Sequence, residues 1–93
     1  MIQTMIELDD RLGKDYFFAA LSINNQQMKL QSLNNYCKHL EKTIDLTELD
    51  QLQFSQNDVP SLHFMYDEEH YLFIDYGNGV VDYIKQHLPK TLF

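Results

Sequence analysis

Apolar and polar positions alternate in three stretches of the chain, and this alternation predicts β-strands. In residues 16–23, Phe17, Ala19, Leu21 and Ile23 alternate with a second row that begins at Tyr16. A period of two places the two rows on opposite faces of a sheet, and the aromatic content also favours a strand. We expect a further strand over residues 2–8, joined to the first by a turn over 9–15 that contains Gly13.

Residues 61–76 show the same alternation on both sides of a polar connection, which predicts a β-hairpin. Leu62, Phe64 and Tyr66 form one apolar row before the connection, and Leu72, Ile74 and Tyr76 form one after it. The run Asp67-Glu68-Glu69-His70 between them is expected to connect the two strands. Gly77-Asn78-Gly79 then ends the second strand.

Two other stretches show the spacing of an amphipathic helix. Leu30, Leu33, Cys37, Leu40 and Ile44 follow each other at intervals of three and four residues, which predicts a helix over residues 26–45 capped by Asn24 or Asn25. A final helix is expected after Asn78 or Gly79, with Val80, Val81, Ile84 and Leu88 on its inward face. Pro89 should end it, because the residue before a proline disfavours helical torsions.

Two regions allow alternatives. Residues 10–21 also fit a helix, because Leu12, Tyr16 and Ala19 have helical spacing. In residues 46–60, Thr47 and Asp50 resemble a loose capping box of a short helix, whereas Leu52 and Phe54 with polar neighbours fit a short strand.

These elements together predict an α+β fold with the order β-β-α-(short element)-β-β-α. The fold would be a small antiparallel sheet with two amphipathic helices packed on one face. Ninety-three residues with 44% hydrophobic content are enough for one folded domain, which we expect to span 1–93.

The composition also indicates a compartment. Cys37 is the single cysteine, so no internal disulfide framework is possible and a reducing environment is expected. No stretch approaches the roughly 20 apolar residues of a membrane span, and acidic residues interrupt the N-terminus where a secretory signal would lie. We therefore expect a cytoplasmic protein.

The negative charge is concentrated in one segment. The net charge is −7, and residues 41–75 contain nine acidic residues but only Lys42 as a basic residue. The remaining acidic residues are nearly balanced by lysine and arginine. This segment disfavours direct binding to nucleic acid, because phosphate contacts depend on clustered lysine and arginine.

Motifs for catalysis or cofactor binding are absent from the sequence. No phosphate-binding glycine loop, HExxH motif, EF-hand or CxxC pair occurs, and Gly77-Asn78-Gly79 is typical of a turn. Cys37 lies on the apolar stripe of the predicted helix, where a thiol is inert. His63 and His70 would face each other across the hairpin, so a small metal-dependent enzyme is an alternative. We expect no enzyme, no cofactor and no metal.

The acidic segment instead predicts a surface for a basic protein partner. Carboxylates accelerate association with a basic surface, and tyrosines are common anchors at interfaces. The expected partner-binding residues are Asp50, Asp58, Tyr66, Asp67, Glu68, Glu69, Tyr71 and Asp75. We expect a monomer or weak homodimer.

The run Tyr71-Leu72-Phe73-Ile74-Asp75-Tyr76-Gly77-Asn78-Gly79 resembles the last strand of some colicin immunity proteins. A short acidic chain with tyrosine-rich strands is similar to the immunity proteins of colicin and contact-dependent growth inhibition systems. This resemblance implies an inhibitor that neutralises a basic bacterial toxin, such as a nuclease, without chemistry. The profile is also similar to phage anti-CRISPR and other DNA-mimic proteins, which block nucleic-acid-binding channels.

Overall fold

A computed structural model describes residues 1–33, 40–56 and 58–89, and these residues form seven strands and one helix. The elements are β1 (Ile2–Asp10), β2 (Gly13–Asn24), β3 (Gln27–Ser32), β4 (Glu41–Asp45), β5 (Asp50–Ser55), β6 (Ser61–Tyr66), β7 (Glu69–Ile74) and α1 (Val80–His87).

All seven strands belong to one antiparallel sheet, in the order β4-β3-β2-β1-β7-β6-β5. Strands β1–β4 form one meander and β5–β7 another. The pairing of β1 with β7 joins them, with Ile6 opposite Phe73 and Asp9 opposite His70. This pairing brings the beginning of the chain beside its last strand, so it sets which loops are neighbours in space.

The core lies on one face of the sheet, which we call the inner face. Burial alternates along the strands: Thr4, Ile6 and Leu8 of β1 are buried, whereas Met5 between them is exposed. The largest fully buried side chains are Tyr71, Phe64 and Phe73, whose rings pack against each other. Each buried aromatic ring removes a large apolar area from water, so these three side chains contribute strongly to the stability of the core.

The sheet curls around this core, which brings non-adjacent strands together. Lys42 of the edge strand β4 extends over the inner face and its Nζ lies 3.0 Å from Oε1 of Glu69 in β7. Three strands separate β4 from β7 in the sheet order, so this contact forms only because the sheet is strongly curved.

Helix α1 covers the opening of the curled sheet. Its residues Val80, Val81 and Ile84 are buried in the same cluster as the inner-face side chains. The hydroxyl oxygen of Tyr83 accepts a hydrogen bond from the backbone N–H of Ile23 at 3.2 Å. On the opposite side, Nζ of Lys85 lies 4.9 Å from the centre of the Phe54 ring. The helix therefore links the end of β2 to β5.

The predicted α+β fold is wrong, because residues 26–45 do not form a helix. Strand β3 occupies Gln27–Ser32 and β4 occupies Glu41–Asp45, while residues 34–39, including Cys37, lie outside the described residues. Met28, Leu30 and Ser32 are buried and alternate with exposed neighbours, a period of two that the helical spacing of Leu30 and Ile44 obscured.

Pairing with β2 is the physical reason for this difference. Asn25 and Gln26 have φ values of 51° and 63°, so they form a tight turn rather than the start of a helix. That turn places Leu30 opposite Leu21 in the neighbouring strand. Asparagine tolerates this left-handed conformation better than most residues, so it suits a turn as well as a helix cap.

Other predicted elements are confirmed. Strands over 2–8 and 16–23, the hairpin over 61–76 and the final helix are present, whereas the alternative helix over 10–21 is wrong. The predicted turn over 9–15 is reduced to two residues between Asp10 and Gly13. In the ambiguous region 46–60, β5 forms the strand that Leu52 and Phe54 suggested.

Candidate functional site

Two tight turns lie side by side at one end of the sheet. The β1–β2 turn contains Arg11 and Leu12, and the β6–β7 turn contains Asp67 and Glu68. They are neighbours because β1 pairs with β7 up to Asp9 and His70, the last pair before both turns. We call this region the turn end. Asp50, at the start of β5, also belongs to it.

The β6–β7 turn fixes two carboxylates in defined positions. Asp67 and Glu68 have φ values of 52° and 65°, the left-handed conformation of both central residues in a type I′ turn. This turn matches the twist of the flanking strands, and it leaves both side chains exposed. The sequence predicted a longer connection through His70, but Glu69 and His70 belong to β7.

The β1–β2 turn adds a second pair of carboxylates. Asp9 lies opposite His70, and Asp10 accepts a hydrogen bond from the backbone N–H of Leu12 at 2.8 Å. Between the turns lies an open depression of about 310 Å³. Its lining residues are Asp10, Arg11, Leu12, Lys42, Asp67, Glu68 and Glu69. The charge distribution along the sequence did not indicate Asp9 and Asp10 as site residues, because neighbouring basic residues balance their negative charge.

Asp50 and Tyr66 lie at the same end of the sheet. Asp50, at the start of β5, is opposite Met65, and Tyr66 is the last residue of β6 before the turn. Asp50 is exposed, whereas Tyr66 is partly buried against the core. Four of the predicted partner-binding residues, Asp50, Tyr66, Asp67 and Glu68, are therefore brought together.

Glu69 and Tyr71 point to the inner face and are not available to a partner in this structure. Tyr71 is completely buried, and its hydroxyl donates to Oε1 of Glu69 at 3.2 Å. Burial, followed by the negative charge of Glu69, raises the pKa of Tyr71 well above its ordinary value. Glu69 is itself bound to Lys42. Glu69 and Tyr71 therefore do not contribute side chains to an exposed contact surface.

Asp58 and Asp75 lie at the opposite end of the β6–β7 hairpin. The backbone N–H of Asp75 donates to the carbonyl oxygen of Pro60 at 2.9 Å, which places the segment before β6 beside the end of β7. Six-residue strands separate this end from the turn end by about 20 Å. One acidic surface containing all eight predicted residues therefore does not form.

Asp75 has a structural role that its charge alone did not indicate. Its Oδ1 accepts hydrogen bonds from the backbone N–H groups of Gly77 at 2.8 Å and Gly79 at 3.1 Å. Gly79, at φ 77°, precedes α1, so the carboxylate holds the turn that begins the helix. Gly77-Asn78-Gly79 thus uses these N–H groups within the turn, as turn chemistry predicts.

The turn end has an excess of negative charge. Its acidic residues are Asp9, Asp10, Asp50, Asp67, Glu68 and Glu69, and its basic residues are Arg11 and Lys42. Nearby Lys14 is paired with Glu7, since its Nζ lies 3.2 Å from Oε1 of that residue. Carboxylates from three separate strand pairs thus share one end of the sheet.

The outer face of the sheet next to the turn end contains exposed apolar side chains. Met5 and Phe18 are opposite each other on β1 and β2, and they are 44% and 42% exposed. Tyr16 is 65% exposed, and its hydroxyl donates to Oε1 of Glu7 at 3.0 Å. This hydrogen bond is the main reason that the pKa of Tyr16 is raised. The sequence analysis did not assign these residues a function.

His63 and His70 meet on the same outer face. Nδ1 of His70 lies 3.3 Å from Nε2 of His63, and the two rings are stacked. They line a shallow groove of about 190 Å³ together with Glu7, Asp9, Lys14 and Leu72. Burial and then the neighbouring His70 ring lower the pKa of His63, while the charge of Glu7 opposes this shift.

A complete metal-binding set does not form in the part of the chain that the structure describes. Among residues 1–33, 40–56 and 58–89, no three histidine, cysteine or acidic side chains are close enough together to hold an ion. The same ranges contain no helix that is long and apolar enough to cross a membrane.

Comparisons of this chain with protein-family models, with curated proteins and with solved structures find no match.

Proposed function

We propose that this protein is a non-enzymatic inhibitor that binds a basic protein, such as a toxin nuclease, through the turn end. The observation that supports this proposal most directly is the convergence of Asp50, Asp67 and Glu68 with Asp9 and Asp10. These carboxylates are distant in sequence, but strand pairing places them at one end of the sheet.

The turn end suits rapid association with a basic surface. Concentrated charge of one sign increases encounter rates by about 10–1,000-fold at low ionic strength. The tight type I′ turn limits the backbone motion of Asp67 and Glu68, so little backbone conformational entropy is lost when they bind. Arginine and lysine side chains of a nuclease's phosphate-binding cleft are the complementary groups.

Apolar contacts for affinity extend along β2 away from these charges. Tyr16 and Phe18 follow the β1–β2 turn on β2 and are exposed on the outer face. An apolar centre with a charged rim is the usual arrangement of a specific protein interface, and aromatic anchors contribute much of its free energy. The inhibitor would act by covering the partner's cleft or an adjacent site. It would act in the cytoplasm, as the single cysteine predicts.

The test compares charge removal at the two ends of the sheet. The variant D67N/E68Q removes two charges from the turn end, and D58N/D82N removes two exposed charges elsewhere. The immobilised protein is first used to capture a basic partner from host lysate and to bind the product of the neighbouring gene. Association rates of the purified partner are then measured at low and high salt.

We expect D67N/E68Q to slow association roughly three- to tenfold at low salt and D58N/D82N to have little effect. Addition of the wild-type protein should also abolish the captured partner's activity. Equal association rates for the two variants would exclude the turn end as the binding surface. Capture of a guide-RNA-bound effector in place of a toxin would favour the DNA-mimic alternative.

A further inference from the structure

The histidine pair on the outer face has the nitrogen spacing of two ligands bound to one metal ion. Zinc binds histidine nitrogens at about 2.0–2.1 Å in tetrahedral geometry, which places two such nitrogens about 3.3–3.4 Å apart. The nitrogens of His63 and His70 are 3.3 Å apart, within hydrogen-bonding distance of each other, so a bound ion would replace the proton between the two rings. We infer that these two histidines form a binding site for one late first-row divalent metal ion, with Zn²⁺ as the reference ion.

The backbone holds this pair in position. His63 lies opposite Leu72, and His70 lies opposite Met65, so the two histidines are diagonal neighbours on paired strands. Diagonal side chains on the same face of a sheet are about 7–8 Å apart at their backbones, which aromatic rings can bridge. Because β6 and β7 are joined by a two-residue turn, their register is fixed, and with it the backbone positions of the two histidines.

Asp9 lies beside the pair, although the three side chains do not form a complete set of ligands in this structure. Asp9 is directly opposite His70 on the outer face, and it lines the same groove as both histidines. Directly opposite residues have Cβ atoms about 4.5–5.5 Å apart, so Asp9 would have to change its side-chain conformation to bind the same ion. Two imidazoles and one carboxylate form a donor set typical of zinc, with water in the remaining position.

Charged groups of both signs face the pair. The groups facing the pair from β1 and β2 are Glu7, Asp9 and Lys14. The two carboxylates favour a cation, while the Lys14 ammonium is paired with Glu7.

Imidazole ligands also determine which ions are selected. They favour Zn²⁺, Ni²⁺ and Cu²⁺, whereas Mg²⁺ and Ca²⁺ require sets of oxygen ligands. The bound ion would hold β6 and β7 together and link them to β1. This site shares Asp9 with the turn end, but His63 and His70 do not belong to the turn end and Asp67 and Glu68 do not line the groove, so variants of the two sets test the two proposals separately.

The test is calorimetric titration of the wild-type chain and its variants H63Q, H70Q, D9N and H87Q with Zn²⁺ at pH 7.5. His87 is the matched control, since its imidazole lies on α1, away from the pair, with Nδ1 2.8 Å from the carbonyl oxygen of Tyr83. Histidine proton resonances in NMR spectra identify which rings respond. Circular dichroism confirms that each variant is folded.

We expect one Zn²⁺ per wild-type chain and about a tenfold or greater loss of affinity in H63Q and H70Q, because second-shell changes alone cost about 10–100-fold. D9N should weaken binding less, and H87Q should bind as the wild type does. The signals of His63 and His70 should shift together. Unchanged affinity in H63Q, or equal losses in H63Q and H87Q, would overturn the inference.

Discussion

At the scale of single residues, the direction in which each side chain points decides its role. Asp67 and Glu68 were predicted as exposed carboxylates, and the turn exposes them. Glu69 and Tyr71 lie within three residues of Glu68, yet they point inward. The sequence could not distinguish these cases, because apolar residues lie on both faces of β7. The alternation therefore did not show which of the two rows of side chains points to the core.

The β6–β7 turn gives a prediction about stability. Glu68 has φ 65°, which an L-residue adopts at a cost of roughly 1–2 kcal/mol, whereas glycine adopts it readily. After allowing for the greater entropy of glycine in the unfolded state, Glu68→Gly should raise the free energy of unfolding by about 0.5–1 kcal/mol. Urea denaturation measures this change.

Two further variants serve as controls for Glu68→Gly. Gln26, at φ 63°, occupies the equivalent position of the β2–β3 turn, so Gln26→Gly should stabilise the protein similarly. Glu48 is also an exposed turn residue, but its φ is not positive, and Glu48→Gly should give no gain. A similar gain from Glu48→Gly would show that the backbone conformation is not the cause.

At the scale of elements, the contact between β4 and β7 is what marks the sheet as curled. The Lys42–Glu69 pair joins strands that are four positions apart in the sheet order, and Tyr71 also donates to the same Glu69 oxygen. No sequence pattern predicted this contact. Residues 42 and 69 are distant in the chain, and Lys42 lies within the helix that the sequence predicted over residues 26–45.

A double-mutant cycle with Lys42→Met and Glu69→Gln measures this link. The side chains of Lys42 and Glu69 are 39% and 16% exposed, so solvent screens the pair only in part. We expect a coupling free energy of about 0.5–1 kcal/mol in urea denaturation. The more exposed pair of Lys14 and Glu7 should give a smaller coupling. Zero coupling between Lys42 and Glu69 would contradict the proposed contact across the sheet.

At the scale of the whole molecule, the inner face of the sheet forms the core, and the outer face carries exposed and partly buried side chains. Phe64 is completely buried between Tyr71 and Phe73, whereas Phe18 is 42% exposed on the outer face. The two phenylalanines have the same side chain and both lie in strands, so their difference arises only from which face they occupy.

Replacement of each phenylalanine by alanine tests this assignment. Phe64→Ala should lower the free energy of unfolding by about 3–5 kcal/mol, because it removes buried area and leaves a cavity. Phe18→Ala should change it by less than about 1 kcal/mol. Thermal or urea denaturation of both variants gives the comparison. A larger loss of stability in Phe18→Ala than in Phe64→Ala would contradict the assignment of the inner and outer faces.

The sequence by itself determined the hairpin over 61–76, the final helix, the strands near residues 2–8 and 16–23, and the concentration of charge in 41–75. These features depend on local period, turn residues and composition, which neighbouring residues encode directly. Only the tertiary structure decided that residues 27–32 form a strand and that Asp9 and Asp10 join Asp67 and Glu68. The physical reason is that strand pairing is long-range: the partners of β1 and β3, not their own spacing, determine their conformation and their neighbours.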